Sequence, residues 1–331
     1  MFHLNEITFE QWSGYWKRIP KANLLQSWQY GEAKAQAEGW RVVRFLISGN
    51  TDQPFALAQM LTRSYPLFGG IARLNRGPLL LDDFPEDQSV AKKLEIIEAL
   101  LIEVRHRRWW VVQIAPELPD SPIVITSLNQ MGLRRRPDPA FASGRLSLKA
   151  DEQSILMGFN GKWRNCMRKG IRLGVLVTSH NGVGPELDLL IGSYVELQHS
   201  KDFQGIPPRL IRSLAAQQGK MWQFNLFIAR TGNTSDSEEP IGMLVSVCHG
   251  DTATYVIGST NNRGRQMQAN SVLLWQAILH AKRFGCVWFD IGGLSAITPK
   301  GVAEFKNGLN AVPYKLVGEW RWYYLPWRMR R

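Results

Sequence analysis

The sequence predicts a mixed α/β (α+β) fold built from two similar halves, and three observations carry that expectation. Short stretches with the two-residue alternation of strands are interleaved with stretches of helical period. A strand pair recurs. Arg41 to Ser48 and Phe55 to Thr62 flank Gly49-Asn50-Thr51-Asp52-Gln53-Pro54, while Trp222 to Arg230 and Ile241 to His249 flank Gly232-Asn233-Thr234, an acidic stretch and Pro240. The order strand, Gly-Asn-Thr, acid, Pro, strand thus appears twice, 183 residues apart, which points to an internal duplication. Finally, 331 residues exceed an average domain and suit two. Arg134-Arg135-Arg136-Pro137-Asp138-Pro139 marks the division, drawn at 1–146 and 147–331.

The elements follow in order. Leu24 to Lys34 reads as a helix entry with Ser27 as N-cap, and the first strand pair comes next. Gln88 to Arg105 has the apolar stripe of an amphipathic helix, Trp109 to Ala115 reads as a buried strand, and a helix from Pro122 to Met131 ends near Gly132. In the second half, helices are expected within Asp151 to Leu173, near Pro185 to His199 and near Pro208 to Gln218. After the second strand pair, Tyr255 to Thr260 reads as a strand, Gln268 to Phe284 as a helix stopped by Gly285, and Val287 to Asp290 as the next strand. Trp320 to Tyr324 reads as a final strand.

A formal net charge of +12 favours a polyanionic partner: nucleic acid, an anionic membrane surface or a phosphorylated substrate. Cys166, Cys248 and Cys286 are scattered and odd in number, which argues for a reducing cytosol rather than a disulfide framework. Neither these cysteines nor the six histidines have metal-ligand spacing, so no metal is expected. Cys248 and His249 would face opposite sides of a strand, which favours a buried thiol over a nucleophile pair. The N-terminus lacks a basic region followed by an apolar core, and no apolar run approaches the ~18 residues that span a bilayer. The expectation is a cytoplasmic protein. Contact with RNA or with the anionic inner face of a membrane is left open for the basic C-terminus, Trp327-Arg328-Met329-Arg330-Arg331, for which a solvated tail is the plainer reading.

Two constellations carry chemistry. Phe289-Asp290-Ile291-Gly292-Gly293 reads as a buried strand ending in a small-residue turn, and Phe305-Lys306, twelve residues beyond Gly293, as a loop returning a lone lysine towards it. Glycines admit a substrate backbone or phosphate, and a lysine near apolar surface steadies an anion or a developing oxyanion. Ordinary strand ends share this composition. The second constellation is Gly161 to Gly174. There Trp163, Met167 and Ile171 form an apolar stripe, and Arg164, Arg168 and Arg172 form a basic one joined by Lys162 and Lys169. Such a ladder follows a phosphate backbone, or is simply a solvated face.

In this order and spacing, Gln26-Ser27-Trp28-x-x-Gly31-x-x-Lys34, Lys162-Trp163-Arg164-Asn165, Asp290-Ile291-Gly292-Gly293 and Phe305-Lys306 resemble the Fem-type (FemABX-like) aminoacyl transferases over nearly the whole chain. That resemblance implies two tandem acyltransferase subdomains of the GNAT type. It also implies transfer of an amino acid from aminoacyl-tRNA to an amine on a peptidoglycan-precursor-like or other acceptor, small or lipid-linked, with no further cofactor. Carried over by position, Lys306 would be catalytic, meeting the aminoacyl ester. Phe305 would pack beside the terminal adenosine, and Asp290, Gly292 and Gly293 would complete the donor site. Lys34 would contact the acceptor diphosphate, while Lys162, Arg164, Arg168, Lys169 and Arg172 are the expected tRNA contacts. The sequence departs from the family pattern at Ala115, Ile206, Leu210 and Ile257, where an aspartate, an arginine and two tyrosines are expected, although Arg209 stands near enough to substitute. The departures imply an acceptor other than the usual nucleotide-linked muropeptide.

Two other classes stay open. An acyl-CoA-dependent GNAT enzyme needs an open Gly-rich turn at a helix N-terminus, and Arg263-Gly264-Arg265-Gln266-Met267-Gln268-Ala269-Asn270 keeps only one glycine there. A non-catalytic scaffold binding RNA or a membrane surface would not need Lys306.

Overall fold

A computed structural model describes residues 2–49, 53–65, 69–232 and 239–324. Parts of both Gly-Asn-Thr linkers and the basic segment 325–331 lie outside the described residues. The chain divides into two compact units, Met1–Ala142 with Tyr314–Arg331, and Ser143–Pro313. The sequence reading differs here, because it gives the last strand to the second half. Trp320–Tyr323 instead pairs antiparallel with Trp109–Ala115 and with Arg134–Arg135, burying Trp320 and Trp322 in the first core. Arg134 to Arg136 is accordingly a strand edge of the first unit rather than a linker.

In the first unit the sheet runs, in spatial order, His3–Glu6, Arg41–Ser48, Pro54–Tyr65, Gly69–Asn75, Trp109–Ala115, Trp320–Tyr323 and Arg134–Arg135. The pair Gly69–Asn75 and Trp109–Ala115 is parallel, bridged by the helix Glu86–His106. That helix lays Ile96, Ile97, Leu100, Leu101 and Val104 on the sheet, the 3–4 spacing that its sequence predicts.

The second unit repeats the plan. Its sheet runs Ala142–Ser147, Trp288–Asp290, Thr252–Thr260, Gly242–His249, Trp222–Thr231 and Val175–Asn181. Here Thr252–Thr260 and Trp288–Asp290 are the parallel pair, bridged by the helix Ala269–Phe284, which Gly285 ends at φ +99°. The repeat of hairpin, third strand, long helix and parallel strand is what the duplicated sequence pattern predicts. Among the described residues no helix is long and apolar enough to cross a membrane.

Candidate functional site

The parallel ladder in the second unit is short. Thr252, Ala253 and Thr254 pair with Trp288, Phe289 and Asp290, after which Thr252–Thr260 continues against Gly242–His249 only, while the parallel strand turns away at Gly292, φ +73°. Lys306 enters this opening. It sits on a helix, Lys300–Asn307, and not on the loop expected from the sequence. The residue is 5% exposed. Its Nζ donates to the Gly293 carbonyl at 3.2 Å and lies 4.6 Å from the centre of the Tyr255 ring. A Cβ on Gly292 would meet Tyr255 O at 2.8 Å and Lys306 Nζ at 3.3 Å, so glycine is required both by space and by φ.

Burial pushes the Lys306 amine down to about 8, against the pull of the Asp290 carboxylate. Asp290, 4% exposed, accepts from Gly292 N at 3.0 Å and from the Ser143 hydroxyl. Burial also raises the Tyr255 phenol, which offers Lys306 a neutral aromatic face. A cation held in so dry a place stabilises developing negative charge far better than it would in water.

The basic helix Gly161–Arg172 is capped by Asn160, whose side chain accepts from Lys162 N at 2.9 Å. Trp163, Met167 and Gly170 are its buried face. Gly170 presses on the helix Ala269–Phe284, where a Cβ would lie 2.6 Å from Val272 Cγ2 and 3.0 Å from Met267 O. Ile171, expected in the apolar stripe, is 52% exposed instead. It lines a cleft of about 1110 Å³ with Lys162, Arg168, Lys169, Arg172, Cys166 and Gln268, and no carboxylate shares that lining. Arg164 does not reach the cleft, because its guanidinium donates to the carbonyls of Met157 and Phe159 at 2.7 and 2.6 Å. An adjoining crevice of about 500 Å³ shares Lys162, Cys166 and Gln268 and extends to Trp163, Ser271, Phe305 and one carboxylate, Glu304. There the Phe305 ring stacks on Trp163, centroids 6.1 Å apart, and the buried Trp163 indole N–H has no hydrogen-bond partner.

The turn before Ala269–Phe284 is already occupied by its own bonds. Asn261 accepts from Gly264 N at 2.8 Å, and the amides of Arg265, Met267 and Gln268 donate to Asn261 O, Arg263 O and Arg265 O. Gly264 is glycine for packing, since a Cβ would lie 2.0 Å from Ile241 O.

Lys34 and Arg209 belong to different units. Lys34 lies on Trp28–Glu38, a helix capped by the Ser27 hydroxyl as its sequence predicts, and pairs with Glu38 one turn on. Arg209 is exposed in the first turn of Pro208–Ala216. Of the four departure positions, Leu210 and Ile257 are buried apolar residues, and Ile206 donates its amide to the Tyr194 hydroxyl at 3.1 Å. Sequence reasoning missed Ser143 and the part of Tyr255. The alternation of Thr252 to Thr260 was the one available signal, because it turns Tyr255 to the same face as Ala253.

Residues 209–329 match the FemAB family. Among solved structures FemX superposes with a TM-score of 0.75 at 15% identity, covering 97% of this chain and 97% of that one. The chain has the fold of FemX. A tandem GNAT protein from the clavulanic acid biosynthesis pathway is similar to this chain with a TM-score of 0.57 at 11% identity, over 98% and 99% of the two chains. L-PGS from Bacillus licheniformis gives 0.53 at 11% identity, over 98% and 96%. At these identities the solved structures speak to the fold. No curated protein matches the sequence. The span that matches the family contains Lys306, its turn and Tyr255, and begins after the basic helix.

Proposed function

We propose that this protein transfers an amino acid from aminoacyl-tRNA to an amine, forming an amide. The observation that carries the reading is Lys306, a buried cation at the opened end of the second sheet, in the same unit as a basic cleft whose own lining has no carboxylate. An aminoacyl ester is already activated, so catalysis needs positioning and charge stabilisation rather than a strong nucleophile. The acceptor nitrogen attacks the ester carbonyl and forms the C–N bond, Lys306 donates to the resulting oxyanion, and collapse restores the carbonyl and breaks the C–O bond. The amine proton leaves with the ribose oxygen, carried by water. One such donor contributes ~3 kcal/mol to the transition state. Lys162, Arg168, Lys169 and Arg172 are the proposed phosphate contacts, with Phe305 at the terminal nucleoside and Asp290, Gly292 and Gly293 shaping the donor turn. Lys34 in the first unit and Arg209 in the second are each proposed as anion-binding residues. The apolar departures favour an amine acceptor other than a nucleotide-linked muropeptide, within or beyond the peptidoglycan-precursor class.

The acyl-CoA reading is weaker because the turn whose amides would hold a pyrophosphate spends them on Asn261, Arg263 and Arg265. The deciding experiment is binding of charged and of deacylated tRNA at near-physiological salt, with acetyl-CoA as competitor. Preference for charged tRNA, unmoved by acetyl-CoA, is expected. Equal weak binding abolished by acetyl-CoA refutes the reading in favour of a CoA enzyme. Tight binding of both forms that Lys306→Ala leaves untouched, with no transfer, refutes it in favour of a scaffold.

A further inference from the structure

We propose that Ser143 is a positioning residue for the transfer reaction, holding the Asp290–Gly293 turn so that the Lys306 ammonium points into the site. The inference rests on the transferase reading and adds a residue outside its motifs. Ser143 is 1% exposed on Ala142–Ser147, the strand that flanks Trp288–Asp290 on the side away from Thr252–Thr260. Its hydroxyl lies 2.5 Å from Asp290 Oδ1 and 2.9 Å from Gly292 O. Next to it, Ile291 N donates to Gly144 O at 3.0 Å. One side chain therefore touches both ends of the turn, the carboxylate that caps it and the carbonyl that leaves it.

The turn in turn sets Lys306. Gly292 N donates to Asp290 Oδ1 at 3.0 Å, and the next carbonyl, that of Gly293, accepts from Lys306 Nζ at 3.2 Å. Thr298 Oγ1 reaches the same carbonyl at 3.4 Å. Lys306 Nζ also lies over the Tyr255 ring, 4.6 Å from its centre. A hydroxyl with a single proton can serve one acceptor at a time, so Ser143 couples the Asp290 carboxylate to the Gly292 peptide. Rotating that peptide moves the Gly293 carbonyl and, with it, the ammonium. Support of this kind around a reacting group is costly to lose even when the reacting group itself stays in place.

The test uses the full chain as wild type, Ser143→Ala, Ser143→Cys, Ser143→Thr and Lys306→Ala, with transfer from aminoacyl-tRNA to an amine as the assay. Ser143→Cys keeps the size of the side chain but donates weakly, so it reports if the alanine variant fails to fold. Expected are a roughly tenfold fall in kcat for Ala and Cys, the worth of about one hydrogen bond. KM for aminoacyl-tRNA stays unchanged, and Thr restores the rate. Titration of Lys306, followed by NMR of ¹³C-methylated lysines and assigned with Lys306→Ala, shifts in the Ala and Cys variants and returns in Thr. If Ser143→Cys transfers at the wild-type rate while Lys306→Ala does not transfer, the role of Ser143 is overturned and the transferase reading stands. If Lys306→Ala transfers normally, the transferase reading itself is overturned, and with it this proposal.

Discussion

Replacing Lys306 with methionine should make the protein more stable and much less active. Burial holds the amine at about 8 instead of its ordinary 10.5. Each pK unit is 1.36 kcal/mol, so keeping that lysine charged inside the fold costs roughly 3 kcal/mol. Below pH 8 both folded and unfolded chains carry the proton and the full cost stands. Between 8 and 10.5 the unfolded chain binds a proton that the native one has released, so wild-type stability rises with pH. Methionine fills a similar volume without charge and removes the cost. For a unit of this size, a Tm higher by roughly 5–10 °C at pH 7 is expected, with the gain shrinking below about 1 kcal/mol at pH 10. Transfer should fall by several hundredfold, the worth of about 3 kcal/mol of oxyanion stabilisation. Thermal unfolding of both proteins at pH 7 and pH 10, beside single-turnover transfer, decides the matter. A methionine variant less stable at pH 7, or a gain independent of pH, refutes the buried cation.

Three further outcomes are expected. Arg168→Gln, Lys169→Gln and Arg172→Gln each lower the slope of log affinity for tRNA against log salt by about 1 and leave kcat alone; an unchanged slope would place the phosphates elsewhere, and Arg164→Gln, bound to its own preceding turn, should change the slope least. Gly264→Ala pushes a Cβ to 2.0 Å from Ile241 O and should lower the Tm of the second unit by several degrees, an overpacking cost of about 1–3 kcal/mol or more. Gly192→Ala, on the helix Pro185–Lys201 with nothing near its Cβ, should raise stability by up to ~1 kcal/mol, and denaturant melts of the pair test both signs.

What the sequence disclosed was mostly local. Trp109–Ala115 and Arg41–Ser48 are bounded as the residue pattern predicts, because apolar runs and alternation are written in adjacent residues. The basic helix was equally legible, yet its outermost arginine was not: Arg164 prefers the carbonyls of Met157 and Phe159, which helical spacing alone does not reveal. Lys306 is legible in the sequence but its helix is not, since Lys300–Asn307 is short, has Gly301 in its first turn and is followed by Gly308. Non-local pairing defeated the reading elsewhere. Trp320–Tyr323 returns to a strand some 200 positions earlier, and Ser143 meets Asp290 across 147 positions. No periodicity encodes either contact.

The two halves share a plan, and one difference in backbone pairing separates their chemistry. In the first unit the parallel ladder is closed to its end: Gly70 to Asn75 pair through Ala115, and Arg76 N still donates to Ala115 O at 2.6 Å. The long helix that follows begins with Glu86 and Asp87, and carboxylates at that positive end repel a second anion. In the second unit the ladder stops after three positions, which leaves room for the 292–293 turn and Lys306. Its long helix has no acid in its first turn and lies against Lys162, Arg168 and Lys169 across Gly170. A closed sheet with an acidic helix start has neither space nor field for a polyanionic donor, while an opened sheet with a basic neighbour has both. The same duplicated unit therefore supports the proposed donor chemistry in one copy only, and the physical reason is where the two parallel strands part.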